Sequence, residues 1–178
     1  MQIEVMFAGF GGQGILSAGK ILAGAAMEKD ARVAWIPSYG PEMRGGTAYC
    51  TVVVSDRLIG SPIIRNPGHL VAMNRPSLEK FGGLVKKDGV ILVNSSLVEI
   101  SSGRTDIDEL RVPATGIADE IGDVMVASVV ALSAFVSRSS VVPMDLLRSV
   151  LIGKFEDQPE LLAKNLTALE RGEEAARA

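Results

Sequence analysis

Several features are scarce in this chain of 178 residues, and each scarcity excludes a class of protein. The single cysteine, Cys50, rules out an internal disulfide and an iron–sulfur cluster ligated by this chain alone. The 18 basic and 21 acidic residues are well mixed and give a net charge of −3, so the basic footprint of a nucleic-acid-binding protein is missing. These features fit a reducing compartment, and we predict a cytoplasmic location.

Long apolar runs are missing as well. The longest, residues 124–136, contains Ser128 and Ser133 and is too short to cross a bilayer, so we expect no membrane insertion. Aromatic residues make up 4% of the chain, which suits helices packed on a sheet better than an aromatic-rich β-sandwich. With 47% hydrophobic residues the chain can bury one substantial core, so residues 1–178 are predicted to form one domain.

Apolar segments alternate with helical patterns along the chain. Strands are predicted at residues 3–7, 33–36, 48–55, 70–73 and 90–93, and helices at 15–27 and from Pro76. From Thr115 onward the pattern is helical, with segments at 117–121, 124–138, 144–152 and 159–171 and Gly172 as the last stop. Strands separated by helices are typical of parallel β–α units. The predicted fold is α/β: a Rossmann-like three-layer domain with a mostly parallel sheet and a helical C-terminal third.

The predicted helix at 124–136 is apolar on nearly all sides. A helix of this kind must be covered by its own domain or by another subunit. The sequence leaves both alternatives open.

A glycine-rich turn joins the first strand to the first helix. It contains Gly9, Gly11, Gly12, Gln13 and Gly14. Glycines permit positive φ and close backbone approach, and the first amides of the following helix favour an anion, so the turn can cradle a phosphate. The dinucleotide fingerprint also requires an acidic residue about 20 residues further on, and this chain lacks it. A tight turn that binds nothing is the alternative.

Polar residues follow several of the predicted strands. Ser38, Tyr39, Asn74, Asn94 and Ser95 each stand after an apolar run. The carboxyl ends of parallel strands share one edge of a sheet, where ligands of α/β proteins gather, so we predict that these residues converge with the glycine turn. Ordinary helix capping explains some of them equally well.

The segment 38–46 is rich in turn-forming and charged residues. It places a phenol, a carboxylate and a guanidinium close together, in Tyr39, Gly40, Glu42, Arg44 and Gly45. The two interpretations are a rigid turn held by a local ion pair and a loop that contacts a ligand or partner.

Taken together, these segments resemble the gamma subunit of 2-oxoacid:ferredoxin oxidoreductases. The resemblance rests on residues 9–14, 38–46, 60–62, 72–78, 94–97 and 165–172, in that order. The 2-oxoglutarate branch is the most similar, followed by pyruvate and 2-ketoisovalerate relatives. The resemblance implies a complex that converts a 2-oxoacid and coenzyme A into acyl-coenzyme A and carbon dioxide and reduces ferredoxin.

The resemblance also implies which components lie on other chains. Thiamine diphosphate, magnesium and iron–sulfur clusters belong to alpha and beta subunits or a ferredoxin-like delta subunit, and this chain has neither catalytic nor metal-binding residues. The glycine turn, segment 38–46, Asn74, Asn94 and Ser95 are the candidate contacts to coenzyme A or a partner, and His69 is structural. The remaining alternatives are a free-standing nucleotide-binding or regulatory module, a purely structural subunit, and a subunit of an indolepyruvate oxidoreductase.

Overall fold

The structure, a computed structural model, describes residues 1–38 and 47–178. Its strands are β1 (Gln2–Phe10), β2 (Arg32–Ser38), β3 (Thr47–Ser55), β4 (His69–Ala72), β5 (Val90–Asn94) and β6 (Asp108–Val112). Its helices are α1 (Ile15–Glu28), α2 (Arg75–Phe81), α3 (Ala114–Ile121), α4 (Ala127–Ser139), α5 (Met144–Phe155) and α6 (Pro159–Ala175). None of these helices has the length and hydropathy of a membrane-spanning segment.

The strands form one sheet in the order β2-β3-β1-β4-β5-β6. Strands β1, β4, β5 and β6 are parallel, whereas β3 is antiparallel to both of its neighbours, β1 and β2. The predicted α/β class with a mostly parallel sheet is confirmed. The expectation of parallel β–α units is wrong for β3, because residues 39–46 are fewer than the dozen or so that a parallel crossover needs.

The side chains of β1 alternate between two hydrophobic cores, one on each face of the sheet. Val5 and Phe7 pack into the larger core with α1 and α3–α6, while Met6 and Ala8 pack into the smaller core with Leu78 of α2. Because successive strand side chains point to opposite faces, one apolar strand holds both helical layers. This arrangement gives the predicted three layers.

Helix α4 lies in the middle of the larger core. Every residue from Ala127 to Val136 is buried by the chain itself. Of the two alternatives left open for residues 124–136, coverage by the domain itself is correct for 127–136, where α4 lies. Val124 and Met125, at the start of the predicted helix, precede α4 and are 57% and 56% exposed.

The prediction that Gly172 ends the last helix is wrong. Helix α6 continues through Gly172 to Ala175, and a Cβ at this glycine would collide with the Val130 carbonyl of α4. The residue allows two helices to approach closely, and the Ser133 hydroxyl donates a hydrogen bond to the Leu169 carbonyl across the same contact. Gly172 is thus a packing residue and not a helix stop.

Candidate functional site

Among residues 1–38 and 47–178, the glycine turn and the polar strand ends meet at one edge of the sheet, as predicted. Strands β1, β4 and β5 are parallel, and β2 runs in the same direction because β3 is antiparallel to both β1 and β2. Phe10, Ser38, Asn74 and Asn94 therefore lie at or just beyond the carboxyl ends of their strands. We call this the carboxyl edge.

The glycine turn depends on backbone conformations that other residues adopt with strain. Gly12 has a φ of 89° and Gly14 a φ of 74°, both in the left-handed region. Gly14 is the residue before α1, and no side chain caps the helix there. The first amides of α1 thus carry the partial positive charge of a helix N-terminus without a carboxylate or hydroxyl from the described residues to satisfy it.

Gln13 holds the turn in place. Its side-chain oxygen accepts a hydrogen bond from the Phe10 amide at 2.7 Å, and its side-chain nitrogen donates to the Met73 carbonyl at 3.4 Å. A Cβ on Gly9 would lie 2.6 Å from the Gln13 oxygen, so this clasp requires glycine at position 9. Gln13 and Gly9 shape the turn, while a Cβ built on Gly12 would have no atom of residues 1–38 and 47–178 within 4 Å, its chain neighbours apart.

Asn94 connects β5 to its neighbours. It is fully buried and donates to the Met73 carbonyl at 3.3 Å and to the Thr115 hydroxyl at 2.9 Å. The Met73 carbonyl therefore accepts hydrogen bonds from the side chains of both Gln13 and Asn94. These bonds connect the glycine turn to the ends of β4 and β5. The amide of the half-buried Ser95 donates to the Val112 carbonyl at 2.9 Å.

Asn74 caps α2, and two polar groups at this cap lack a hydrogen-bond partner among the described residues. Its side-chain oxygen accepts from the Ser77 amide at 2.9 Å, as in an ordinary N-cap. Its side-chain nitrogen and the Ser77 hydroxyl are buried and have no hydrogen-bond partner among residues 1–38 and 47–178. A buried donor without an acceptor is costly, so Asn74 Nδ2 and the Ser77 hydroxyl are groups at this edge that a further partner would satisfy.

Two cavities flank the start of α1. The first, of about 250 Å³, is lined by Phe10, Gly11, Gly12, Gly14, Ile15, Leu16, Ser17, Ser38, Ala48 and Met125. The second, of about 320 Å³, is mainly apolar and lies between the same helix start, α4, Phe155 and Leu161. Gly14, Ser17 and Met125 line both cavities, so the uncapped amides of α1 stand at their boundary. The first cavity gathers Gly11, Gly12, Gly14 and Ser38 of the predicted site.

Five predicted site residues, Tyr39, Gly40, Glu42, Arg44 and Gly45, lie outside the described residues.

The single cysteine and the single histidine are both occupied structurally. Cys50 is fully buried and donates to the Ile15 carbonyl at 3.6 Å, and burial raises the pKa of its thiol to about 12. His69 Nδ1 accepts a hydrogen bond from the Val90 amide at 3.0 Å, and burial lowers the pKa of this imidazole. Sequence reasoning did not identify Met73 and Ser17 as parts of the edge, because one acts through its carbonyl and the other through its place in the first helical turn.

An α/β domain with a glycine turn at the carboxyl edge of its sheet belongs to the broad class of Rossmann-like proteins. The chain belongs, within that class, to the pyruvate ferredoxin/flavodoxin oxidoreductase family, whose model matches residues 4–175.

Curated relatives match almost the whole chain. It is 38% identical to ketoisovalerate oxidoreductase subunit VorA of Methanothermobacter thermautotrophicus over 99% of its own length but only 37% of that protein. It is 35% identical to 2-oxoglutarate synthase subunit KorC of Methanocaldococcus jannaschii, over 99% of this chain and 95% of KorC. The chain thus spans little more than a third of the first relative and nearly all of the second.

Solved structures share the fold. The gamma subunit of a keto/oxoacid ferredoxin oxidoreductase from Geobacter sulfurreducens superposes with a TM-score of 0.85 at 28% identity, covering 98% of each chain. A 2-oxoglutarate:ferredoxin oxidoreductase from Magnetococcus marinus, solved with 2-oxoglutarate, coenzyme A and succinyl-CoA, gives a TM-score of 0.89 at 24% identity. That match covers 99% of this chain and 31% of the other, and it concerns the fold alone.

Proposed function

We propose that this chain is the gamma-type subunit of a cytoplasmic 2-oxoacid:ferredoxin oxidoreductase, with residues 1–178 as one gamma-type domain. The supporting observation is the match to KorC and to the Geobacter sulfurreducens gamma subunit over nearly the full length of both. The partners in this proposal are alpha and beta subunits and a ferredoxin-like delta subunit. Ferredoxin is the acceptor.

The proposed reaction is the oxidative decarboxylation of a 2-oxoacid. The bond between the carboxyl carbon and the keto carbon breaks and carbon dioxide leaves. The acyl group forms a thioester with the sulfur of coenzyme A, the thiol proton is released, and the two electrons of the oxidation reduce ferredoxin in one-electron steps. In this proposal thiamine diphosphate with magnesium and iron–sulfur clusters would be held on the partner subunits and would supply the decarboxylation and electron-transfer chemistry. We favour 2-oxoglutarate as substrate from the sequence resemblance, while the ketoisovalerate and pyruvate relatives name the other candidates.

The part we assign to this chain is to bind and orient an anionic group of coenzyme A. The start of α1, which no side chain of the described residues caps, suits a phosphate oxygen, because the first amides of a helix lie at the positive end of its dipole. Gly12 beside it leaves room, since a Cβ built there meets no atom of the described residues within 4 Å. Asn74 Nδ2 offers a further buried donor at the same edge. Cys50 and His69 take no part, since both are held by backbone groups.

Co-expression with the alpha, beta and delta candidates tests this function. The purified complex should reduce ferredoxin with a 2-oxoacid and coenzyme A, with 2-oxoglutarate, pyruvate and 2-ketoisovalerate assayed side by side. The isolated chain should be inactive. Full activity of the isolated chain, or a chain that never co-purifies with these subunits, would overturn the proposal.

The segment 38–46 provides a second test. Arg44→Lys keeps the positive charge but loses the bidentate geometry of a guanidinium, so we expect weaker coenzyme A binding in the assembled complex. Calorimetry of the isolated chain with NAD, FAD, ATP and coenzyme A separates the alternative: tight dinucleotide binding would favour a free-standing nucleotide-binding module.

A further inference from the structure

One exposed segment has no role in the site described above. Residues 56–66, which we call the arm, connect β3 to β4 without regular secondary structure and contain the Gly-Ser-Pro sequence at 60–62. Hydrogen bonds fix both ends: the Asp56 amide donates to the Met1 carbonyl at 3.2 Å, and Asn66 Nδ2 donates to the Leu84 carbonyl at 3.0 Å. The arm is thus anchored at its ends and projects between them.

The arm exposes large apolar side chains. Leu58 is 85% exposed and Ile63 is 77% exposed, whereas Ile59 and Ile64 beside them are half-buried. Neighbouring apolar residues therefore divide into a pair that faces the domain and a pair that faces away from it. A partner that covered both side chains would remove their apolar surface from water and so gain binding free energy.

Basic side chains accompany the outward pair. Arg57 precedes Leu58, Arg65 follows Ile63 by two residues, and both arginines are exposed. The only acidic group in the arm, Asp56, pairs with the Met1 amino group and lies 3.4 Å from Arg57. A complementary surface would combine an apolar socket with acidic groups at its rim.

The arm projects from the end of the domain where the first and last residues lie. Asp56 pairs with the Met1 amino group, and both residues line a cavity that includes Lys29. Lys29 also lines a cleft with Ala176 and Arg177. The arm and both boundaries of the family match, residues 4 and 175, thus lie around one end of the sheet, opposite the carboxyl edge.

The longer relatives indicate what this end of the domain meets. This chain spans 37% of VorA, so in VorA further polypeptide is joined to the same domain. Polypeptide joined near residue 4 or residue 175 starts at the end of the domain that carries the arm. A separate chain that keeps the contacts of that polypeptide next to the joint would meet the domain there.

We propose that the arm is the docking element for the companion polypeptide that corresponds to the part of VorA this chain does not span. Leu58 and Ile63 enter an apolar socket on that chain, and Arg57 and Arg65 face its acidic rim. The inference rests on the proposed function, because both require a multichain complex, and it names the surface by which this chain joins it.

The test is pull-down and titration of the companion chain with full-length protein. The double variant L58S/I63S should bind at least about tenfold more weakly than wild type, because both apolar anchors are removed. The matched control is M27S/I152S, which changes two other apolar residues, 64% and 44% exposed, outside the arm. Circular dichroism should show all proteins folded.

A charge-reversal variant gives an independent readout. R57E/R65E should slow association and reduce the dependence of the association rate on salt, since steering by complementary charge is lost. An unchanged rate and salt dependence would contradict the acidic rim.

The outcomes separate the two proposals. If wild type binds the companion chain and L58S/I63S binds equally well, the arm inference is wrong while the proposed function stands. If wild type binds no companion chain, both are wrong. If size-exclusion chromatography shows that L58S/I63S loses self-association and keeps the companion, the arm is a contact between copies of this chain, which also overturns the inference.

Discussion

Two of the helices that begin at the carboxyl edge, α1 and α2, have first turns that are built in opposite ways. Helix α2 begins after Asn74, whose side chain accepts a hydrogen bond from the Ser77 amide. Helix α1 begins after Gly14, which has a left-handed backbone and supplies no side-chain cap. The chain satisfies one helix start from within and leaves the other open toward a cavity.

The difference shows that, at one edge of the sheet, one helix start serves the stability of the fold while the other is left available to an anion. A capped start is rigid and electrostatically satisfied, so it offers little to an anion. The start of α1 has no side-chain cap from residues 1–38 or 47–178, while Gln13 and Asn94 hold the surrounding backbone through the Met73 carbonyl. Four sets of substitutions test the comparison.

Gly14→Ala should have the largest effect. Its Cβ would lie 2.5 Å from the Ser128 hydroxyl, and the φ of 74° is strained for alanine. We expect a loss of about 2–4 kcal/mol in the free energy of unfolding, measured with urea, from strain and overpacking together. Combining it with Ser128→Ala should recover part of the loss, and no recovery would show that backbone strain alone is responsible.

Gly9→Ala should come next. Its Cβ would lie 2.6 Å from both the Gln13 side-chain oxygen and Ile15 Cδ1, so the clasp must move. We expect a loss of about 1–3 kcal/mol in urea unfolding. Gly12→Ala is the comparison variant, because its Cβ meets no atom of the described residues within 4 Å and its positive φ alone should cost about 1–2 kcal/mol. A loss of less than about 1 kcal/mol at position 9 would contradict the clasp.

Asn74→Ala should lower the free energy of unfolding by about 1 kcal/mol, measured with urea, because it removes the N-cap of α2. Asn74→Ser restores a capping oxygen without the unpaired Nδ2. If Asn74 only caps, the serine variant should match wild type both in unfolding and in coenzyme A affinity of the complex. If Nδ2 also binds a ligand group, stability should return while affinity stays low.

Ser17→Asp should have the smallest effect on stability and the opposite sign. The first turn of α1 contains no acidic residue, and a carboxylate there should stabilise the helix by about 0.3–1 kcal/mol. The same carboxylate should repel an anion from the cavity and weaken coenzyme A binding. Ser17→Asn is the uncharged control. Unchanged affinity in the aspartate variant would mean that the open helix start binds no anion.

The glycine turn and the edge residues were predictable because their signals are local. A strand pattern ending in closely spaced glycines and a helix pattern leaves few alternatives, and the carboxyl ends of parallel strands place Asn74 and Asn94 beside the turn. Whether these residues bind coenzyme A stays a prediction, since capping and clasping account for their observed hydrogen bonds.

The missed features depend on contacts distant in sequence. Strand β6 carries charges at Asp108, Glu109 and Arg111, as an edge strand tolerates, so its alternation is weak. Gly172 looks like a stop because helix-ending and helix-packing glycines are identical in sequence, and only the position of Val130 distinguishes them. The reversal of β3 was accessible from the length of residues 39–46 alone.

The buried thiol of Cys50 can be used to detect the separation of α1 from the sheet. With a pKa of about 12 and no exposed surface, the sulfur is out of reach of alkylating reagents and dissolved oxidants while α1 covers the sheet. The extent of Cys50 alkylation by iodoacetamide therefore measures the fraction of molecules in which α1 has separated from the sheet. Handling in air leaves this thiol unchanged as long as the domain remains closed.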